Sequence, residues 1–214
     1  MSAAKRTPRD ERRRSLGQNF LRPELADQLV ARAAFAPDDL VVEVGAGRGA
    51  CTFSLARHGV RVIALEKDPR WAEALRREVV RSGMEDQIRV VCCDAREYRM
   101  PRRPFHAFGS LPFGATTSIL RHLLDDPSSG LVRADLIVQL AVARKRSATP
   151  PTTLLSTMWA PWWSFEMGRR IPAGAFRPVP SVDAAVLRVS RRVPPLLPPR
   201  MATAFASFVQ REWK

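Results

Sequence analysis

Leu40-Val-Val-Glu-Val-Gly-Ala-Gly-Arg-Gly49 is the stretch that decides the fold. Four apolar residues around one acid read as a short buried strand. Glycines 45, 47 and 49 follow, so the chain turns tightly and leaves its backbone open to close approach by a ligand. Cys51–His58 then reads as a helix. Outward from this unit, Val60–Glu66 and Ile88–Asp94 are two further apolar runs, each ending near an acid, with the helical stretch Arg70–Ser82 between them. Alternation of strand and helix predicts a parallel sheet with crossover helices. Further strands are expected at Ala107–Ser110 and Ala134–Leu140, with a helix at Thr117–Leu124. Ser164–Ile171 and Val182–Ser190 read as two late strands. The short, Pro-rich connection between them suits an antiparallel pair. Upstream, Pro23–Phe35 reads as a helix with Pro23 in its first turn.

Glu66 lies about 20 residues beyond the Gly-rich turn, where an acid at a strand end accepts ribose hydroxyls. The turn is G-x-G-x-G and differs from the G-x-G-x-x-G of pyrophosphate-binding folds. The leading acid, Glu43, suits a ligand that carries positive charge. Both features favour S-adenosylmethionine over a nicotinamide dinucleotide. Asp94 closes the third strand at the sheet's carboxyl edge, placed to accept an adenine amino group or to cap the next turn. Ser110-Leu-Pro-Phe113 follows the fourth strand. Pro112 fixes the backbone there, and Phe113 offers a flat face for a base.

The chain has 214 residues, 45% of them hydrophobic, enough for one α/β domain and a small appendage. No apolar run approaches the ~20 residues of a membrane span. The start, Met1 to Arg14, is charged and shows no secretory signal. Formal net charge is +14, which points to a polyanionic partner. Only four of the 35 basic residues are lysines; coding bias explains arginine over lysine but not basic over acidic. The cysteines are Cys51, Cys92 and Cys93, with no spacing for disulfides or a metal, which fits a reducing cytoplasm. Cys92 and Cys93 are expected to be buried thiols. After the break Val193-Pro-Pro-Leu-Leu-Pro-Pro199, Ala202–Trp213 reads as one amphipathic helix with Phe205, Phe208 and Val209 on its apolar face.

Gly17-Gln-Asn-Phe-Leu21, the Glu43–Gly49 turn, Glu66, Asp94, Ser110–Phe113 and Ala175-Phe-Arg-Pro-Val-Pro-Ser-Val-Asp-Ala-Ala-Val186 occur in this order. Together they resemble the rRNA adenine N6-methyltransferases, over roughly residues 12–192. That family includes the Erm macrolide-resistance enzymes of large-subunit rRNA and the KsgA enzymes of small-subunit rRNA. Arg12–Leu21, Ala134–Gln139 with Ala143-Arg-Lys145, and Trp159–Trp162 with Gly168–Pro172 look most like the actinobacterial Erm branch.

The resemblance implies a Rossmann-like class I methyltransferase, with a mainly parallel seven-stranded sheet whose last strand is antiparallel. It implies a flexible basic arm at 1–15, a catalytic domain at 16–192 and, at 193–214, a short remnant of a C-terminal helical domain. S-adenosylmethionine would be the cofactor, with Gln18, Asn19 and Leu21 closing over its methionine end. Gly45 and Gly47 would pass along it, with Glu66 on the ribose and Asp94 on the adenine. Ser110, Leu111 and Phe113 would form the catalytic loop, and Phe176 would lie over the target base. The implied product is N6-methylated adenine in 23S rRNA, made before ribosome assembly is complete, by a cytoplasmic monomer that needs no metal. RNA contacts are expected from Arg12, Arg13, Arg14, Arg144, Lys145 and Arg146, with Arg102, Arg103, Arg169 and Arg170 as further candidates. One departure stands out: Ser110 replaces the family's usual Asn or Asp. A 16S rRNA enzyme, or an RNA-binding homologue with a weakened site, are the alternatives.

Overall fold

A computed structural model describes residues 19–213. The arm at 1–15, with Arg12, Arg13 and Arg14, and also Gln18, lie outside the described residues. Strand β1 (Phe20–Leu21) leads into helix α1 (Pro23–Ala33). Then come β2 (Leu40–Val44), α2 (Ala50–Arg57), β3 (Arg61–Glu66), α3 (Pro69–Arg81) and β4 (Ile88–Cys92). The second half holds β5 (Phe105–Ser110), α4 (Thr116–Leu124), β6 (Leu131–Gln139), α5 (Leu140–Arg146) and α6 (Leu154–Trp159). Last are β7 (Trp163–Ile171), β8 (Phe176–Arg177), β9 (Ala184–Arg191) and α7 (Ala202–Glu212).

Seven strands form one sheet in the order β4-β3-β2-β5-β6-β9-β7, and β9 runs antiparallel to both neighbours. All five residues of β2 are buried, because helices cover both faces of the central strands. Alternate side chains feed two cores. Val42, Val44, Ala107, Leu136 and Val138 pack with Leu120, Leu123 and Trp159 on one face. Val41, Val62, Phe108 and Ile137 pack with Val30, Leu55 and Leu75 on the other. Strand order reverses between β2 and β5, and the carboxyl ends there open onto the site. Among the described residues no helix is long and apolar enough to cross a membrane.

Several expectations need correction. Cys92 is exposed and Cys93 only half-buried, because β4 is the sheet's edge strand and ends there. Helices α5 and α6 give no signal in the sequence: seven and six residues are too short to develop a repeat. In α7, Val209 is buried and Phe205 meets Trp162 edge-on at 5.8 Å, but Phe208 is 52% exposed. The pair β1–β8, joining Leu21 to Phe176, is invisible locally because its two strands lie far apart in the chain.

Gly109, in β5, has φ +146°, and a Cβ there would lie 2.3 Å from the Val44 carbonyl oxygen. The close approach of β5 to β2 therefore requires glycine. Gly109→Ala is expected to lower unfolding free energy by about 3 kcal/mol, read from urea denaturation.

Candidate active site

The carboxyl ends of β2, β3, β4 and β5 border a cavity of about 1360 Å³. Its lining includes Asn19, Leu21, Gly45, Gly47, Glu66, Asp94, Ser110, Leu111 and Phe113. Nine positions singled out for the cofactor and the catalytic loop thus share one site. Phe176 is not among the lining residues. It is fully buried in the core beside Leu21 and Ile171, so its ring supports β1 from beneath and offers no face to a base.

Glu66 is the best-defined group. Its Oε2 accepts the Gly47 N–H at 2.8 Å and its Oε1 accepts the Asp68 N–H at 2.8 Å. A carboxylate offers about four acceptor sites, so Glu66 keeps acceptor capacity for a ligand hydroxyl. Burial raises its pKa; the Asp68, Gly47 and Lys67 N–H groups oppose that rise, and the Asp68 charge adds to it. Gly45 and Ala46 donate to the Leu65 carbonyl at 2.9 and 3.0 Å, which holds the turn against β3.

A Cβ on Gly47, at φ +56°, would meet the Phe20 ring at 2.9 Å. Phe20 in turn meets Trp71 edge-on at 5.3 Å. The Arg48 guanidinium sits over both rings, at 5.1 and 4.8 Å. This stack presses the strand that carries Asn19 and Leu21 against the Gly-rich turn. Sequence reading missed it: Phe20 and Arg48 lie inside recognised motifs, but Trp71 carries no local mark.

Asp94 is held by two cations. Arg96 and Lys67 bind its carboxylate and keep its pKa well below the usual carboxylate range, Arg96 contributing most. It also accepts the Arg96 N–H at 3.0 Å and so orders the turn after β4. The i+2 spacing of Arg96 is legible as a local turn; the approach of Lys67 is not. Across the cavity, the Ser110 hydroxyl has no hydrogen-bond partner among the described residues. The Leu111 N–H donates to the Ile137 carbonyl at 3.0 Å, which fixes the start of the loop. The Pro112 carbonyl accepts from the Ala115 N–H and the Thr116 hydroxyl.

The basic cluster on α5 divides. Arg144 and Lys145 are exposed, but Arg146 is only 8% exposed. Its guanidinium donates to Thr153 at 2.9 Å and lies over Trp159 at 5.3 Å, and burial lowers its pKa. Contrary to expectation, Arg146 braces α5 against α6 and does not present its charge to RNA. Arg169 donates to Gln28, and Arg170 pairs with Asp183 at 2.5 Å.

Glu43 is 1% exposed and accepts from the Thr52 hydroxyl at 2.5 Å. Burial pushes its pKa from 4.5 to about 7; the Thr52 bond opposes this and Glu66 adds to it. The folded chain therefore binds a proton that the unfolded chain has released, and stability falls as pH rises from 4.5 to about 7. Glu43→Gln is expected to flatten this slope when melting temperature is followed across that range.

The family described as "Ribosomal RNA adenine dimethylase" matches residues 9–213. An rRNA methyltransferase of Streptomyces thermotolerans is 39% identical over 208 residues, covering 96% of this chain and 68% of the relative. The mycinamicin-resistance protein MyrB of Micromonospora griseorubida is 36% identical over 205 residues, covering 95% and 64%. Among solved structures, the 23S rRNA methyltransferase ErmE matches with a TM-score of 0.79 and 34% identity, over 90% of this chain and 78% of that one.

Proposed function

Because the chain belongs to the ribosomal RNA adenine dimethylase family, we propose that it methylates N6 of an adenine in 23S rRNA. The methyl donor is S-adenosylmethionine, and the outcome is resistance to macrolide-type antibiotics. The observation that carries this reading is one cavity lined by both Glu66, its carboxylate held by backbone N–H groups, and the Ser110–Phe113 loop.

The cavity's chemistry fits the cofactor. Glu66 would accept the ribose hydroxyls while Gly47 and Asp68 keep its carboxylate in place. Gly45, Gly47, Asn19 and Leu21 would hold the methionine end, and Asp94 the adenine amino group. When bound, S-adenosylmethionine supplies an electrophilic methyl group on a sulfonium.

The remaining work falls to the loop after β5. An adenine amino lone pair is delocalised into its ring and is a poor nucleophile. The Ser110 hydroxyl oxygen and the Leu111 carbonyl accept its two N–H bonds and favour a pyramidal nitrogen. Held so, the nitrogen would be oriented for attack on an electrophilic methyl group. The target base must leave its stack to reach this loop, and the Phe113 ring receives it. Arg144 and Lys145 are the α5 side chains that meet the RNA backbone. Serine reaches less far than asparagine, so Ser110 sets the rate more than the affinity.

Incubation with labelled S-adenosylmethionine and protein-free 23S or 16S rRNA tests the reading. Label is expected in 23S rRNA; label confined to 16S rRNA contradicts it. Ser110→Ala is expected to lower kcat by about tenfold or more with a smaller change in KM for the cofactor. An inactive wild type with activity restored by Ser110→Asn identifies a weakened homologue instead.

A further inference from the structure

All four acceptor positions of the Asp94 carboxylate are filled. Oδ1 accepts the Arg96 N–H at 3.0 Å and Arg96 Nε at 2.9 Å. Oδ2 accepts Arg96 Nη2 at 2.6 Å and Lys67 Nζ at 2.8 Å. A carboxylate offers about four lone-pair sites, so one more donor must displace a donor already there. The Arg96 N–H belongs to the turn after β4 and stays. The two side chains are free to leave: that of Lys67 is 58% exposed and that of Arg96 43% exposed, whereas the Asp94 side chain is only 12% exposed. Arg96 makes two of the three side-chain bonds and is the principal occupant.

We propose that Arg96 is an internal competitor for the adenine-amino subsite: its guanidinium holds Asp94 when the site is empty and gives way when a 6-aminopurine arrives. The proposal rests on the assignment of Asp94 to the cofactor's adenine. Asp94 thus keeps its acceptors satisfied throughout turnover, because one N–H donor replaces another. The cost is paid in affinity. Only the fraction of molecules with Arg96 withdrawn is ready for the amino group, and apparent binding weakens by that fraction. The same competition speeds departure of the demethylated product, which carries the same adenine. The hold of the two cations on Asp94, seen in its depressed pKa, has the sign this competition requires.

The test compares two ligands on the full chain by calorimetric titration: S-adenosylhomocysteine, and its nebularine analogue, which has hydrogen in place of the 6-amino group. Arg96→Gln is expected to tighten S-adenosylhomocysteine about two- to fivefold, the range of an exposed ion pair, and to leave the analogue's affinity unchanged. Partial misfolding cannot mimic tighter binding. Weaker binding of S-adenosylhomocysteine by Arg96→Gln overturns the proposal and makes Arg96 a positioning residue for Asp94. An equal change for both ligands overturns it too, because the effect then bypasses the amino group. Asp94→Asn separates the underlying assignment. If wild type and Asp94→Asn bind both ligands alike, Asp94 is not the adenine acceptor. If wild type binds neither ligand, the cofactor reading itself fails.

Discussion

Two backbone N–H groups on one buried carboxylate hold this site together. Gly47 and Asp68 each donate to Glu66 at 2.8 Å. One donor sits in the turn after β2, the other in the turn after β3. The bond set fixes those two turns relative to each other, after the Val44–Leu65 register has brought the strand ends level. Phe20 can then pack on Gly47, and through Phe20 the strand bearing Asn19 and Leu21 closes the cavity. Desolvation opposes the charge on Glu66 and backbone N–H donors favour it. A preorganised acceptor of this kind spends its reorganisation cost during folding, before any ligand arrives.

The excess of arginine serves two masters. Asp135 is 3% exposed and takes Arg133 and Arg188, each at 2.8 Å, between neighbouring strands β6 and β9. Arg191 donates to the carbonyls of Leu131 and Ser129, and Arg192 to that of Ala160. Arg146 is buried against Trp159. Planar guanidinium groups suit such multiple carbonyl and carboxylate contacts, where lysine would not. The net charge of +14 therefore overstates the surface available to a polyanion. Exposed cations such as Arg144 and Lys145 are the part open to such a partner.

Much of the fold is legible because buried parallel strands leave continuous apolar runs and crossover helices leave a regular repeat. Leu40–Val44, Arg61–Glu66 and Ile88–Cys92 fall within a residue or two of their expected ends. The glycines and acids at those ends mark the cavity for the same reason: strand termini are where the backbone approaches a ligand. What stayed hidden depends on distance in the chain. Arg146 looks like its exposed neighbours until Thr153 and Trp159 are packed against it. Phe176 carries a motif yet points into the core, because its strand pairs with β1 and buries that side. The occupation of Asp94 by Lys67 needs β3 and β4 side by side.

The fold and the Glu66 side of the cavity stand on several mutually supporting contacts, whereas the proposed methyl-acceptor role rests on the short Ser110–Phe113 loop. Mass spectrometry of adenosines in rRNA from cells expressing the chain addresses that role directly, reporting target and methyl number together. N6-methylated adenosine at a single position of 23S rRNA is the predicted result. Unmodified 23S rRNA in cells that make the folded protein would contradict the account.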